Sequence, residues 1–338
     1  MSDLPAVAKE GAVAPSCRSA PVRGGRVIWK AGAMELRKAV PLIGLGTLLV
    51  VDAALIAWAF RPTEVPEAMS NPTPSVSASA SPSPSGTTDA KALEPAPTTR
   101  LLAGVSASVA WVAEAGTCKG GGTLWSTADG GKTWTVNDTP GRVMRPRPDS
   151  AKAGFFTGGD KDCALKLWAT GDSGASWSPP QGAAKAWSRV ADDAASVHTP
   201  SDSLVTPCPK KADVLDLSTV SGGRADVLCA DGTARRTTNG GGTWATIFTE
   251  QGALAMTVGD TGGGVLVTAD PTCAGAVAVP LLDGKPDGDG SCVEAKATSG
   301  QVSVTGADKA WWLVIGDQAF RADQAAGPWK ATGATLSR

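Results

Sequence analysis

The chain has 338 residues, with 31 Lys or Arg against 32 Asp or Glu, a formal charge of −1, one histidine and no tyrosine. Residues 101–338 carry 21 basic and 24 acidic side chains, a balance of −3, so this part of the chain has no strong electrostatic footprint for nucleic acid. A single histidine leaves little room for histidine-based triads or zinc sites.

Length alone allows two domains, but composition divides the chain unevenly. Residues 1–38 hold seven basic side chains (Lys9, Arg18, Arg23, Arg26, Lys30, Arg37, Lys38) among Ala, Gly and Pro, with no sustained periodicity. This reads as a disordered cytoplasmic tail. Met34, just before the apolar run that follows, offers an alternative start of translation, and Cys17 is a lone thiol read as inert.

Residues 39–60 are 22 residues with one charge, Asp52. As a helix they cross about 30 Å of hydrocarbon. Basic residues precede this run and Arg61, Glu64 and Glu67 follow it, so the positive-inside rule places the N-terminus in the cytoplasm and the remainder outside the cytoplasmic membrane. The run is read as a signal anchor. The competing reading is a cleaved signal peptide, because Ala57-Trp58-Ala59 resembles a small-x-small cleavage site. Asp52 costs about 2.5–3.5 kcal/mol at mid-span, which makes it a candidate for pairing within the membrane, although a long apolar segment also tolerates one carboxyl. Residues 61–99 are rich in Pro, Ser, Thr and Ala and contain no aromatic residue, the composition of a spacer stalk.

From residue 100 to 338 short runs of Val, Leu, Ala, Trp and Thr alternate with Gly and Asp turns, as in Ala110-Trp111-Val112-Ala113, Thr123-Leu124-Trp125-Ser126 and Lys166-Leu167-Trp168-Ala169. This spacing signals antiparallel strands. One eight-residue unit recurs. It runs from Thr127 through Asp129 and Gly131 to Trp134, from Thr170 through Asp172 and Gly174 to Trp177, and from Thr237 through Asn239 and Gly241 to Trp244. Eroded versions stand at Thr268-Ala-Asp270 and at Asp323 to Trp329. In each full copy the short polar side chain can accept backbone N–H bonds across a turn, the Gly two residues on supplies a positive φ, and the Trp folds back over the hairpin.

This pattern resembles the Asp-box, or BNR repeat, of sialidases, sortilin-type receptors and the propeller-shaped photosystem II assembly factors. The resemblance implies an all-β propeller with the repeats on the outer rim of the blades, in a structural and not a catalytic role. Counting repeat positions puts blades near 98–140, 141–183, 184–250, 251–295 and 296–338, four of them 43 to 45 residues long. The expectation is five blades, the third enlarged by an inserted loop around Ser196 to Asp213, with six blades or an incomplete ring as the alternative.

Cys118, Cys163, Cys208, Cys229, Cys273 and Cys292 all fall in this domain, on the side read as extracytoplasmic. An even number there argues for disulfides. Six cysteines allow fifteen pairings, and the repeat favours neighbours in sequence: Cys118–Cys163, Cys208–Cys229 and Cys273–Cys292.

No catalytic constellation stands out. His198 lies in the turn-like Ser196 to Asp202 with no nucleophile-elbow pattern nearby. The family resemblance brings sialidase activity to mind, but that chemistry uses a tyrosine nucleophile, which the chain lacks. Arg142, Arg145 and Arg147 alternate along one stretch and Arg235-Arg236 precede the third repeat; the simpler reading of both groups is a solvated blade face. The acidic stretch Asp283 to Glu294 matches a calcium loop at Asp283, Asp287, Gly288 and Glu294 but carries Lys285 where an oxygen ligand belongs, and a Gly-rich hairpin is the better reading. No cofactor and no metal are expected. The function expected is a membrane-anchored, extracytoplasmic binding or assembly module for a protein or envelope polymer, with a glycan-active hydrolase or lyase as the alternative.

Overall fold

The computed structural model describes residues 94–338 except 183, 184 and 297. The basic tail with Met34, the apolar run 39–60 with Asp52, and the stalk as far as residue 93 lie outside the described residues. No helix among the described residues is long and apolar enough to cross a membrane.

The described chain is an all-β, six-bladed propeller. Blade 1 comprises β1 (Arg100–Gly104), β2 (Ala110–Thr117), β3 (Gly121–Thr127) and β4 (Thr135–Asp138). Blade 2 comprises β5 (Arg142–Pro148), β6 (Gly154–Gly159), β7 (Leu165–Thr170) and β8 (Gln181–Gly182). Blade 3 has three short strands, β9 (Ser188–Arg189), β10 (Val197–His198) and β11 (Leu204–Val205). Blade 4 comprises β12 (Val214–Thr219), β13 (Ala225–Cys229), β14 (Thr233–Thr237) and β15 (Ala245–Thr249). Blade 5 comprises β16 (Ala253–Val258), β17 (Gly264–Thr268), β18 (Ala276–Leu282), β19 (Lys285–Pro286) and β20 (Ser291–Val293). Blade 6 comprises β21 (Val302–Ala307), β22 (Ala310–Ile315), β23 (Gln318–Ala322) and β24 (Lys330–Thr335). Each sheet is an antiparallel meander in sequence order, and in blade 5 the outer edge of β18 is shared by β19 and β20. We call the face where the inner strands β1, β5, β12, β16 and β21 begin proximal, and the face where they end distal.

Of the counts expected, the alternative of six holds and five does not, because the segment 184–250 contains two blades. The supposed inserted loop contains β10, β11 and the short 3-10 turn Pro209–Lys211. Blade 3 escaped counting because its strands are two residues long and its outer turn carries no Asp-Gly-Trp signature. There the Thr199 hydroxyl bonds the Ser201 and Ser203 hydroxyls, each at 2.8 Å, in place of the repeat's turn.

Blade 3 is also reversed. Trp187 Nε1 donates to Ser221 O (2.9 Å), past the distal end of β12, whereas Arg189 reaches Leu215 O (3.1 Å) and Ala194 O accepts from Val214 N (2.8 Å) at its proximal end. β9 therefore runs against the other inner strands.

Apolar side chains pack between neighbouring sheets, as the two-residue period of a strand dictates. Leu101, Trp111, Leu124, Val143 and Phe156 join blades 1 and 2; Leu215, Leu228, Met256 and Leu266 join blades 4 and 5; Val265, Val304, Leu313 and Phe320 join blades 5 and 6. The ring closes where Val112 and Trp125 of blade 1 meet Val314, Ala319 and Leu336. Trp312 Nε1 donates to Ser106 O (2.9 Å) and Arg321 to Ala107 O (2.6 Å) across that seam. Among the described residues, the apolar cluster at the blade 2–3 seam is small, with Met144 and Ala191 beside Cys118 and Cys163.

Candidate functional site

The three full repeat copies lie in the turns β3–β4, β7–β8 and β14–β15, on the distal rim. Asp129 Oδ1 accepts the Thr133 N–H (3.0 Å) and Oδ2 the Thr133 hydroxyl (2.7 Å), while the Thr127 hydroxyl donates to Oδ1 (2.9 Å) and accepts Gly131 N–H (3.0 Å). Asp172 repeats this set with Ser176, Thr170 and Gly174, and Asn239 accepts from Thr243 N (2.9 Å). Hydrogen bonds to the charged form lower a carboxyl pKa. The Thr133 hydroxyl first, then the Thr133 amide, hold Asp129 down to about 2, and Ser176 does the same for Asp172, also to about 2.

Each copy also ties its turn to the inner hairpin of the same blade: Gly130 N to Ser108 O (3.0 Å), Ser173 N to Lys152 O (2.8 Å) and Gly240 N to Gly223 O (2.9 Å). Trp177 lies back against Gly174 of its own turn and meets Phe156 of its own blade edge-on, with centroids 4.9 Å apart, but all three tryptophans also reach the neighbouring blade. Trp134 meets Trp312 of blade 6 edge-on, with centroids 6.3 Å apart, and Trp244 meets Trp187 of blade 3 at 6.0 Å. Trp177 Nε1 donates to Asp138 O of blade 1 (3.0 Å). The second glycine sits against the same neighbour: at Gly131, φ 82°, a Cβ would stand 2.6 Å from Thr332 of blade 6. In blades 1, 2 and 4 the unit therefore fastens its own blade to the one before it.

The eroded versions part company. Asp323 to Trp329 occupies the matching turn β23–β24, and Trp329 packs against the blade 5–6 core. Thr268-Ala-Asp270 lies in the turn β17–β18, an inner position on the proximal face, where Asp270 binds Thr272 N (2.7 Å). Three residues of pattern are too few to fix which strand they end.

Three disulfides join Cys118 to Cys163, Cys208 to Cys229 and Cys273 to Cys292. Cys118 and Cys163 sit in the proximal turns of blades 1 and 2, and Cys208 and Cys229 link blades 3 and 4; only Cys273–Cys292 closes within one blade.

The acidic stretch is a hairpin and not one loop. Asp283 (φ 52°) and Gly284 (φ 77°) form a two-residue turn with both φ positive, the preferred type for such hairpins. Glu294 follows β20, which pairs at the opposite end of β18, so Asp283 and Glu294 stand at opposite ends of a seven-residue strand. His198 lies in β10, half-buried, and burial lowers its pKa. Among the described residues it bonds neither a serine nor an aspartate.

Apart from Arg147, which is exposed, the arginines are not a solvated blade face. Arg236 forms a bidentate pair with the fully buried Asp226 (2.6 and 3.1 Å), and Arg235 donates to Pro207 O and Trp244 O. Arg145 and Arg147 lie on β5 and line the central channel, a cavity of about 520 Å³ walled by the inner strands. Arg145 spans the thin blade 3 seam, donating to Trp187 O (3.1 Å) and to the Thr219 hydroxyl. Burial, and then the neighbouring Arg147 charge, push its pKa down to about 9, so it stays protonated at neutral pH.

Opposite lies Asp216, which keeps some solvent contact through the channel but is enclosed by protein on its other sides. Desolvation raises its pKa, opposed by Arg189 and by N–H bonds from Leu217 (2.8 Å) and Met256 (3.0 Å). Arg147, Asp260 and Thr261 are exposed at the distal mouth, and the half-buried Trp311 indole lies over Gly306, 3.3 Å from where a Cβ would stand. Arg147 makes no ion pair among the described residues.

No protein-family model matches the chain, and no curated protein matches it. Among solved structures, YCF48 bound to D1 peptide is similar at 17% identity, covering 70% of this chain and 69% of that one, with a TM-score of 0.30. The fucose-recognising lectin of Aleuria aurantia, a six-bladed propeller, is similar at 10% identity over 70% and 96%, with a TM-score of 0.46. The GH74 xyloglucanase of Xanthomonas campestris is similar at 16% over 68% and 38%, with a TM-score of 0.26. At identities and TM-scores this low none of them bears on what this chain binds, and the propeller rests on its own strand order.

Proposed function

We propose that this chain is a membrane-anchored, extracytoplasmic binding module that engages a protein or a cell-envelope polymer with the distal mouth of its channel. The observation that carries this reading is the division of labour among the channel side chains. Arg145, Arg189 and Asp216 are held in bonds that join blades, whereas Arg147, Asp260 and Trp311 face the mouth with a cation, a carboxylate and an aromatic surface. Aromatic and arginine side chains are the usual anchors of a binding surface. The disulfides support an oxidising compartment, and residues 39–60 supply the anchor on the cytoplasmic membrane. The Asp-box reading of the repeats fits a rim that holds blades together and leaves the mouth to function.

The alternative, a glycan-active hydrolase or lyase, has Asp216 in its favour, a carboxyl whose pKa burial raises inside a cavity. Both its oxygens accept backbone N–H bonds, which suits a clamp between blades 4 and 5 better than a proton donor.

A membrane-impermeant crosslinker applied to intact native cells tests address and face together. A specific adduct is expected on intact cells, reduced at least about tenfold in Arg147→Glu, since a hydrogen-bonded charge contributes about 1.5–3 kcal/mol. An adduct that forms only after lysis would refute the location, and an equal yield from Arg147→Glu would refute the face. Turnover of envelope polysaccharide that disappears in Asp216→Asn would establish the enzyme instead.

A further inference from the structure

Residues 97–99 cross the proximal end of the channel before the chain enters blade 1. Thr98 N donates to Leu215 O (2.9 Å), and the Arg189 fork donates to that same carbonyl (3.1 Å) and to Thr98 O. Leu215 lies on the inner strand of blade 4, which stands opposite blade 1 in a ring of six. Thr98 therefore spans the ring. Thr99 N, the Thr99 hydroxyl and Arg100 N all reach Gly300 O, in the loop leading into blade 6 (2.7, 3.1 and 3.1 Å), and Ala115 N of blade 1 reaches Thr99 O (2.7 Å). This strap is thus bonded to blades 1, 3, 4 and 6. Gly300 has φ 76°, and a Cβ there would stand 2.9 Å from Pro97 O, so the close approach of loop and strap needs a glycine. Segments at the edge of a domain fray unless they are tied down, yet Thr98 is only 3% exposed.

The cavities on either side mark the same floor. The wall of the 520 Å³ cavity begins at Leu101, Met144, Asp216, Met256 and Ser303, inside the starts of their strands, and includes none of residues 97–99. A separate cavity of about 230 Å³ on the proximal side has Pro97, Thr98 and Thr99 in its wall. Met144 and Arg189 stand in both walls, so their side chains and the strap form the partition. The larger cavity falls within the roughly 300–1,000 Å³ of pockets that enclose most of a small ligand.

We infer that residues 97–99 floor the channel, which makes it a blind pocket entered through the distal mouth, and that the mouth takes a free end or a side branch of its partner and not a strand threaded through the ring. Thr98 and Arg189 set the depth that an inserted end can reach. The end-on insertion rests on the binding face proposed above; the floor does not.

Hydrogen exchange of the full-length chain, resolved to single residues between Glu94 and Leu102, tests the floor. Thr98, Thr99 and Arg100 should all exchange at least about a hundredfold more slowly than in an unstructured chain. Arg189→Gln should speed Thr98 at least about tenfold, because two bonds from a charged donor are lost. Gly300→Ala, outside the apolar clusters, should also speed Thr98, and it decides if Arg189→Gln does not fold. Fast exchange of Thr98 in the unaltered chain, or no change in either variant, would overturn the floor. A diazirine side chain in place of Thr257, half-buried in the channel wall, or of Asp260 at the mouth tests the insertion in native cells. Adducts from both positions are expected, with the partner's terminal or branch-end unit captured from 257. An internal segment captured from 257, or an adduct from 260 alone, would overturn end-on insertion while the mouth stood as the binding face. Adducts from neither would refute the mouth itself, whatever the exchange of Thr98.

Discussion

Arg235 and Arg236 are adjacent and chemically identical, yet they serve two different contacts because neighbouring side chains on a strand point to opposite faces. Arg236 turns toward Asp226, whose carboxylate is fully buried and has that guanidinium as its ion-pair partner. Removing one member of a buried pair costs more than the pair contributes, because the other charge remains desolvated. Arg236→Met should therefore destabilise the domain by about 3–5 kcal/mol in urea unfolding, and the double replacement with Asp226→Leu should recover most of that loss. A loss below about 1 kcal/mol would mean that the pair behaves like an exposed one. The alternation of the two arginines was legible in the sequence; their partners were not, because Asp226, Pro207 and Trp244 are brought to them by pairing and not by spacing.

The repeat unit is the element most fully written in sequence, because the hydrogen bonds of its Asp or Asn and its Thr side chains close within eight residues. Its tryptophan is different: where that ring goes depends on the preceding blade, so the inter-blade contact was not readable from the motif. The same locality sets a pH test. Asp129 and Asp172 are depressed from 3.8 to about 2, so the stability they confer is present above the ordinary carboxylate pKa and is lost as pH falls through about 2. Asn239 does not titrate. Amide exchange, corrected for its intrinsic rate, should show Thr133 and Ser176 losing protection between pH 4 and 2 while Thr243 keeps it. Loss at all three together would show that global acid unfolding, and not the carboxylates, governs these turns. Thr268-Ala-Asp270 marks the limit of motif reading: its bonds are real, but only the strand pairing shows that they lie on the other face.

At the scale of the whole molecule, the propeller was legible, but the sequence left its count between five and six. Composition, turn spacing and the repeat point to blades, but counting by repeats fails where a blade lacks one, and blade 3 is reduced to three two-residue strands. That blade leaves a seam with little apolar packing, which Arg145 bridges from blade 2 to blade 4. The disulfides reinforce neighbouring seams. With separations of 45, 21 and 19 residues, each contributes roughly 3–4 kcal/mol in the chain-entropy model, and two of the three couple one blade to the next. Only Cys273–Cys292 pairs within one blade; the other two pairs are neighbours in sequence that lie on adjoining blades. The arginines of β5 were visible in sequence as an alternating set, but their place on the channel wall follows from β5 being an inner strand, which ring closure alone decides.

Rim, seams and disulfides are thereby assigned to the scaffold, and the distal mouth is the surface proposed to recognise a partner. Site-specific photocrosslinking in native cells tests this most directly, with the reactive group placed at Asp260 in the mouth or at Val136, exposed on the outer strand of blade 1. The account predicts a discrete adduct from position 260 that disappears in an Arg147→Glu background, and none from position 136. An adduct from position 136 with none from position 260 would place recognition on the rim and contradict it.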